Sequence, residues 1–174
     1  MNAKKSIMIF IGLLVIMAWL LGSVTQAVAE AKKWRYVGYF PKVEILPVGD
    51  VEGHYVAIFE SRGLAFVDGE AAIASGVAYG DFMKGAGLVT NYFNFVFEDG
   101  STMESINRFK ATIAPDMKTG LYEDGKGEFI MGTGRFIGIK GSLSWAGKRL
   151  TGFTKETKGE FFIDGTMTYT VPSK

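Results

Sequence analysis

The sequence predicts an all-β domain, an antiparallel eight-stranded closed barrel, with a two-sheet β-sandwich as the alternative. Three observations carry this. Short runs rich in β-branched and aromatic residues recur, with turn signals every 8 to 14 residues. No amphipathic helical period follows the first thirty residues. Four glycines then fall within Gly132–Gly141, between two strand-like runs, as the corner of a small barrel requires.

The N-terminus reads differently. Lys4 and Lys5 precede an apolar run from Ile7 to Leu21, and Ala27-Val28-Ala29 follows. These are the charged, apolar and small-residue regions of a secretory signal. The run has 15 residues, about 22 Å as a helix, short of a ~30 Å hydrocarbon core. Residues 1–29 are therefore read as a signal peptide and 30–174 as one barrel domain. Export to the periplasm or the medium is expected, with no stable membrane insertion after cleavage. A small outer-membrane barrel is a lesser alternative, since its size also fits. Against it, the chain ends without an aromatic residue and its runs lack a continuous lipid-facing band.

Residues 30–174 carry 17 basic and 18 acidic side chains, a formal charge of −1. With no basic block, nucleic acid is excluded as a partner. There is no cysteine and a single histidine, His54. Thiol nucleophiles and Cys/His zinc sites are thereby excluded, and neither a metal nor a cofactor is expected.

Taken in order, Trp34–Leu46 is a strand with an edge position or a bend at Pro41. His54–Glu60 is the next, with His54, Val56, Ile58 and Glu60 on one face. Arg62-Gly63 reads as a break before Leu64–Val67, and Asp68-Gly69 as a hairpin turn. Glu70–Met83 reads as a strand curving at Gly76 and Gly80, closed by Lys84-Gly85. Leu88–Glu98 and Ser101–Ile113 flank Asp99-Gly100, read as a two-residue primed turn. That register pairs Phe95 with Glu104 and Asn91 with Arg108. It gathers Phe93, Phe95, Phe97, Asn91, Glu104 and Arg108 on one face. Lys118–Tyr122 is a short strand before an expected turn at Asp124-Gly125. Glu128–Met131 and Ile137–Trp145 flank the glycine corner, Ala146-Gly147-Lys148 turns into Arg149–Glu156, and Gly159–Val171 alternates as a half-buried strand.

The Gly-rich corner lacks the Lys-Ser/Thr of a phosphate loop and the βαβ context of a dinucleotide site. Its string Gly-Thr-Gly-Arg-Phe-x-Gly-x-x-Gly resembles the corner of the allene oxide cyclase-like and dirigent-like β-barrels. With the hairpin Phe97–Thr102, the resemblance spans roughly the second half of the mature chain. It implies a barrel that confines a reactive apolar molecule and often assembles as a trimer; a homo-trimer or a homo-dimer is the expectation for this chain. The acids of this chain do not match the catalytic carboxylates of that superfamily residue by residue.

An eight-stranded barrel can be filled by side chains or hold one small ligand. The expectation is therefore a small apolar ligand bound without catalysis, lined by Phe93, Phe95, Phe97 and Asn91, with His54 and Glu60 nearby. The alternative is an isomerase or cyclase in which Glu104, or less directly Glu60, is the charged group and Arg108 its counterpart, if their face is the lumen. The opposing reading puts Glu104 and Arg108 on the solvated exterior and the phenylalanines in a subunit contact. Arg135 is read as bonding loop carbonyls.

Overall fold

A computed structural model of the chain describes residues 29–115 and 118–172. The signal expected over residues 1–29 lies, apart from Ala29, outside them. Eight antiparallel strands follow one another: β1 (Ala31–Pro47), β2 (His54–Val67), β3 (Glu70–Met83), β4 (Ala86–Phe97), β5 (Thr102–Ile113), β6 (Gly120–Gly132), β7 (Lys140–Arg149) and β8 (Phe161–Thr170). Each pairs with the next, and β8 pairs back with β1 from Gly38↔Phe161 to Ala31↔Thr168, which closes the barrel. The closed barrel, not the sandwich, is the fold, and closure leaves a free edge only where β1 runs on past Gly38 beyond its pairing with β8.

Side chains alternate into the lumen and out to the wall, as the period of two demands. The inner face of β3 carries Ala72, Ala74, Ala78 and Phe82, while β4 carries Val89, Phe93, Phe95 and Phe97. Small residues on one strand make room for rings on the next. Trp34 and Tyr36 from β1 pack edge-on against Phe95 and Phe93, with ring centres 5.7 and 4.9 Å apart.

Several expected boundaries move. Proline 41 does bend β1, whose register with β2 shifts between Tyr39 and Lys42. Pro41 is also at an edge, because β1 pairs with β8 only from Ala31 to Gly38 and beyond that with β2 alone. Arg62-Gly63 does not break β2, which runs on to Val67. Asp124-Gly125 is a bulge inside β6, with Asp124 at φ 53° and the register to β7 shifting there. Ala146-Gly147-Lys148 lies within β7, so Arg149 ends that strand and starts no new one.

The most consequential correction is the β4–β5 hairpin. Asp68-Gly69 and Lys84-Gly85 are two-residue turns with both residues at positive φ. At Asp99-Gly100 only Gly100 is left-handed, at φ 79°. Gly100 N–H donates to the Phe97 carbonyl and Phe97 N–H to the Ser101 carbonyl, each at 2.9 Å. The loop is thus one residue longer, a turn followed by a Gly bulge, and Phe95 pairs with Met103 instead of Glu104. A slip of one residue exchanges the two faces of a strand. Met103, Ser105 and Asn107 therefore point inwards, and Glu104 and Arg108 outwards.

Candidate functional site: a half-open aromatic lumen

The two ends of the barrel are filled differently. At the end bearing the β2–β3, β4–β5 and β6–β7 connections, the Gly-rich corner forms a plug. It makes one 3-10 turn, Gly134–Phe136, and drives Phe136 into the lumen against Phe97 and Tyr169, at ring distances of 5.0 and 5.9 Å. Gly134 sits at φ 58° over Ser101, whose hydroxyl accepts the Arg135 backbone N–H at 3.1 Å. The Arg135 guanidinium lies 4.8 Å from the centres of both Phe97 and Phe136 and bonds carboxylates, not loop carbonyls. Its Nη2 donates to Glu70 Oε1 at 2.5 Å, and its Nε stands 3.6 Å from Asp99. One side chain thus ties three connections together over the plugged end.

The opposite half of the lumen holds a cavity. Phe59, Phe82, Phe93, Phe109, Trp145 and Phe161 make most of its wall, with Ala78 and Ala111 as low points. About 60 Å³ is open to the centre of a water-sized sphere, several times the ~10–15 Å³ that one water needs. Phe153, on the connection of residues 150–160, lies across the mouth, with ring centres 6.0 Å apart from Phe40. Phe40 in turn stacks on Phe161 at 4.6 Å.

Polar groups in this cavity are few. Arg149, buried at the rim, donates from Nη2 to the Thr119 carbonyl at 3.1 Å, and its guanidinium lies 5.2 Å from the Phe153 ring. Tyr36, Ser61 and Asn91 cluster on the facing wall. Gly76 leaves the space for two of them: a Cβ there would meet Asn91 Oδ1 at 2.8 Å and Ser61 Oγ at 3.1 Å. The Tyr36 hydroxyl and Asn91 Oδ1 are buried without a hydrogen-bond partner. Tyr36 Oη lies near Ser61 but out of bonding geometry, so burial dominates and its pKa is pushed up to about 12. Burial does the same to Tyr122, up to about 12. Both phenols are neutral over the ordinary pH range. Deeper still, Trp145 Nε1 donates to Asn107 Oδ1 at 3.4 Å, and Asn107 Nδ2 to Ser105 Oγ at 3.0 Å.

Of the residues singled out from the sequence, Phe93 and Asn91 line the cavity. Phe95 is fully buried below it, and Phe97 belongs to the plugged end. The phenylalanines are therefore lumenal, not a subunit contact. Glu104, Arg108 and Glu60 lie on the outer wall, and among the described residues no Asp or Glu lines the cavity. His54 stands at the rim, outside the lumen. Its Nδ1 is 2.6 Å from Asp50 Oδ1 and its Nε2 2.9 Å from Asp81 Oδ1. These hydrogen bonds, that to Asp50 first, raise its pKa above 6.5. The reading missed Tyr36, Ser61, Phe82, Phe109, Trp145 and Phe161. The one signal for them was the alternation of β1 through Trp34 and Tyr36, which only a correct register turns into a shared lumen. Among the described residues no cluster of His, Asp and Glu is arranged to hold a metal ion.

Fold and site together define a closed antiparallel barrel with one end plugged and an aromatic cavity at the other. A solved structure of a conserved protein of unknown function from Rhodopseudomonas palustris is similar, with a TM-score of 0.53 and 10% identity over 83% of this chain and 100% of that one. Two pterocarpan synthase dirigent proteins also align, at 15% and 16% identity and TM-scores of 0.47 and 0.45. These alignments cover 83% and 84% of this chain, and 97% and 94% of theirs. At such identities, the likeness to the Rhodopseudomonas protein is one of fold. No protein-family model matches the chain, and no curated protein does.

Proposed function

We propose that this protein is an exported barrel that binds one small, mostly apolar molecule in the open half of its lumen and holds it without transforming it. The observation that carries this is the aromatic cavity, with the unpartnered Tyr36 hydroxyl and Asn91 Oδ1 on one wall. Apolar walls with a few convergent polar groups are what small-molecule sites have in common. Tyr36 and Asn91 are the polar anchor in this reading, the rings supply the contact area, and Phe153 covers the mouth. Export rests on the signal-like residues 1–29.

Holding is favoured over the isomerase or cyclase chemistry implied by the resemblance to allene oxide cyclase-like barrels, because both acids that chemistry would have used, Glu104 and Glu60, face outwards. A lipid-facing role is disfavoured by the wall of β7 and β8, where Ser142, Ser144, Thr166 and Thr168 point out.

The test is titration of the purified protein with 1-anilinonaphthalene-8-sulfonate, an apolar aromatic probe, followed by probe fluorescence and by quenching of Trp145. Saturable binding at one site per chain is expected, together with its loss in Ala78→Leu and Ala111→Leu, which fill the cavity at a stability cost of ~1–3 kcal/mol. Binding that persists unchanged in both folded variants would place the probe elsewhere and overturn the reading.

A further inference from the structure

The outer wall of the barrel is not uniform. On β7 and β8 it is hydroxyl-bearing, as described above. On β3 and β4 it is uncharged from Ile73 to Tyr79 and from Leu88 to Val96, and mostly apolar, with Ser75, Thr90 and Asn94 interspersed. Ile73 is 66% exposed, Leu88 70% and Val77 53%, with Tyr79 and Tyr92 half exposed. Four strands spaced by ~4.8 Å and about seven residues at ~3.3 Å each outline a face on the order of 400 Å², of which the apolar centre on β3 and β4 is about half. An exposed apolar patch rimmed by polar residues marks an interaction site.

Charge returns only at the flanks, Glu60 and Arg62 on β2 and Glu104 and Arg108 on β5. Among the described residues Arg62, Glu104 and Arg108 have no ion-pair partner in the chain, and Glu60 stands beside Lys42 of β1 without closing an ion pair. Elsewhere on the wall Arg35 pairs with Asp164 at 2.6 Å and Lys110 with Asp124 at 2.7 Å. An apolar centre with a charged border is the anatomy of a protein interface.

The register says what fits it. Arg62, Ser75, Asn94 and Glu104 form one row across the four strands. Leu64, Ile73, Val96 and Thr102 form the row on one side, and Glu60, Val77, Tyr92 and Ile106 that on the other. A two-fold axis along the strands, midway between β3 and β4, exchanges β2 with β5 and β3 with β4. Arg62 then faces the partner copy's Glu104 and Ser75 its Asn94. Ile73 faces Val96, Val77 faces Tyr92, and Glu60 falls diagonally beside Arg108. All three rows meet their own reverse with like polarity at the centre, and the Arg62 row does so with opposite charge at its border, as an isologous contact requires. We propose that the outer face of β3 and β4 docks against the same face of a second copy of this chain across that two-fold axis.

Sedimentation equilibrium on the protein purified from its producing cell, over roughly 1–100 µM, tests this. A monomer–dimer equilibrium is expected for the natural protein. Arg62→Glu and Glu104→Arg each set like charges face to face at two symmetry-related places, so each single variant is expected to weaken the dimer by about tenfold or more. The double variant R62E/E104R restores the pair with its signs reversed, and is expected to return the dimer to within about threefold of the natural protein. All three substitutions are on the outer wall, and circular dichroism checks that the barrel is kept; Ile73→Gln provides a charge-free disruption of the same face. A protein that is monomeric throughout, a trimer, a different chain occupying this face, or a double variant that stays dissociated would each overturn the proposal.

Discussion

His54 has a carboxylate acceptor on each side, Asp50 and Asp81, and both ring nitrogens donate only as imidazolium. Its raised pKa means that the folded state holds the proton more tightly than the unfolded chain. The resulting stability is complete below about pH 6.5 and disappears as pH rises through the folded-state value. Asp50, lowered below 3.8 chiefly by the same hydrogen bond, acts in the other direction and loses its contribution as pH falls through its own value. The melting temperature of the natural protein minus that of His54→Gln is therefore expected to be largest between about pH 4 and 6.5 and to shrink on the alkaline side; a difference flat from pH 4 to 9 would deny the ring its double hydrogen bond. Tyr36 supplies a second residue-scale test. Its hydroxyl is buried without a partner, a state that costs ~1–3 kcal/mol. Tyr36→Phe is expected to stabilise the empty barrel in denaturant titrations while weakening probe binding. Glycine supplies a third. Gly100 has open space where a Cβ would sit, so Gly100→Ala should cost only the left-handed backbone, ~1–2 kcal/mol. At Gly134 a Cβ would also meet the Ser101 side chain, and Gly134→Ala should cost more.

At the scale of elements, the four Asp-Gly dipeptides show how far turn chemistry reaches. Asp68-Gly69 makes the expected two-residue turn, whereas Asp99-Gly100 makes a longer loop with a bulge. Asp124-Gly125 bulges within β6, and Asp164-Gly165 passes straight through β8, held by the Arg35–Asp164 ion pair. The dipeptide permits a left-handed backbone but does not require one; the neighbouring strands decide. The expectation of a closed antiparallel barrel tolerated such local errors, because strand number and alternation survive a moved boundary. The face of each strand did not, because one residue of loop length reverses it. That is why Phe93 and Asn91 were legible as lining residues and Glu104 and Arg108 were not. Arg135 adds an element-scale prediction. It joins the β2–β3 and β4–β5 hairpins through Glu70 and Asp99 while covering two rings. Partly exposed ion pairs and cation–π contacts each contribute roughly 0.2–1 kcal/mol. Arg135→Ala should thus lower stability by about 1 kcal/mol and speed amide exchange at the tips of both hairpins, leaving the opposite end of the barrel unchanged.

On the scale of the whole molecule, the barrel divides twice: along its axis into a plugged end and an open end, and around its girth into an apolar wall and a hydroxyl-bearing one. Neither division is local in sequence. The plug gathers Phe97, Phe136 and Tyr169 from three separate segments, and the cavity gathers groups from all eight strands. Alternation along single strands reveals which residues share a face, but the ring of neighbours around the lumen exists only after closure. That closure also sets an order of events in folding. The seam joins Ala31 to Thr168, the two ends of the strand sequence, whereas every other pairing joins consecutive strands. The meander from β1 to β7 can zip hairpin by hairpin as the chain emerges, but the first strand must wait, with an unsatisfied edge, for the last. Contacts of such long sequence separation slow folding and expose edges to intermolecular pairing. The time between emergence of β1 and arrival of β8 is thus the interval in which this chain most needs protection from its neighbours.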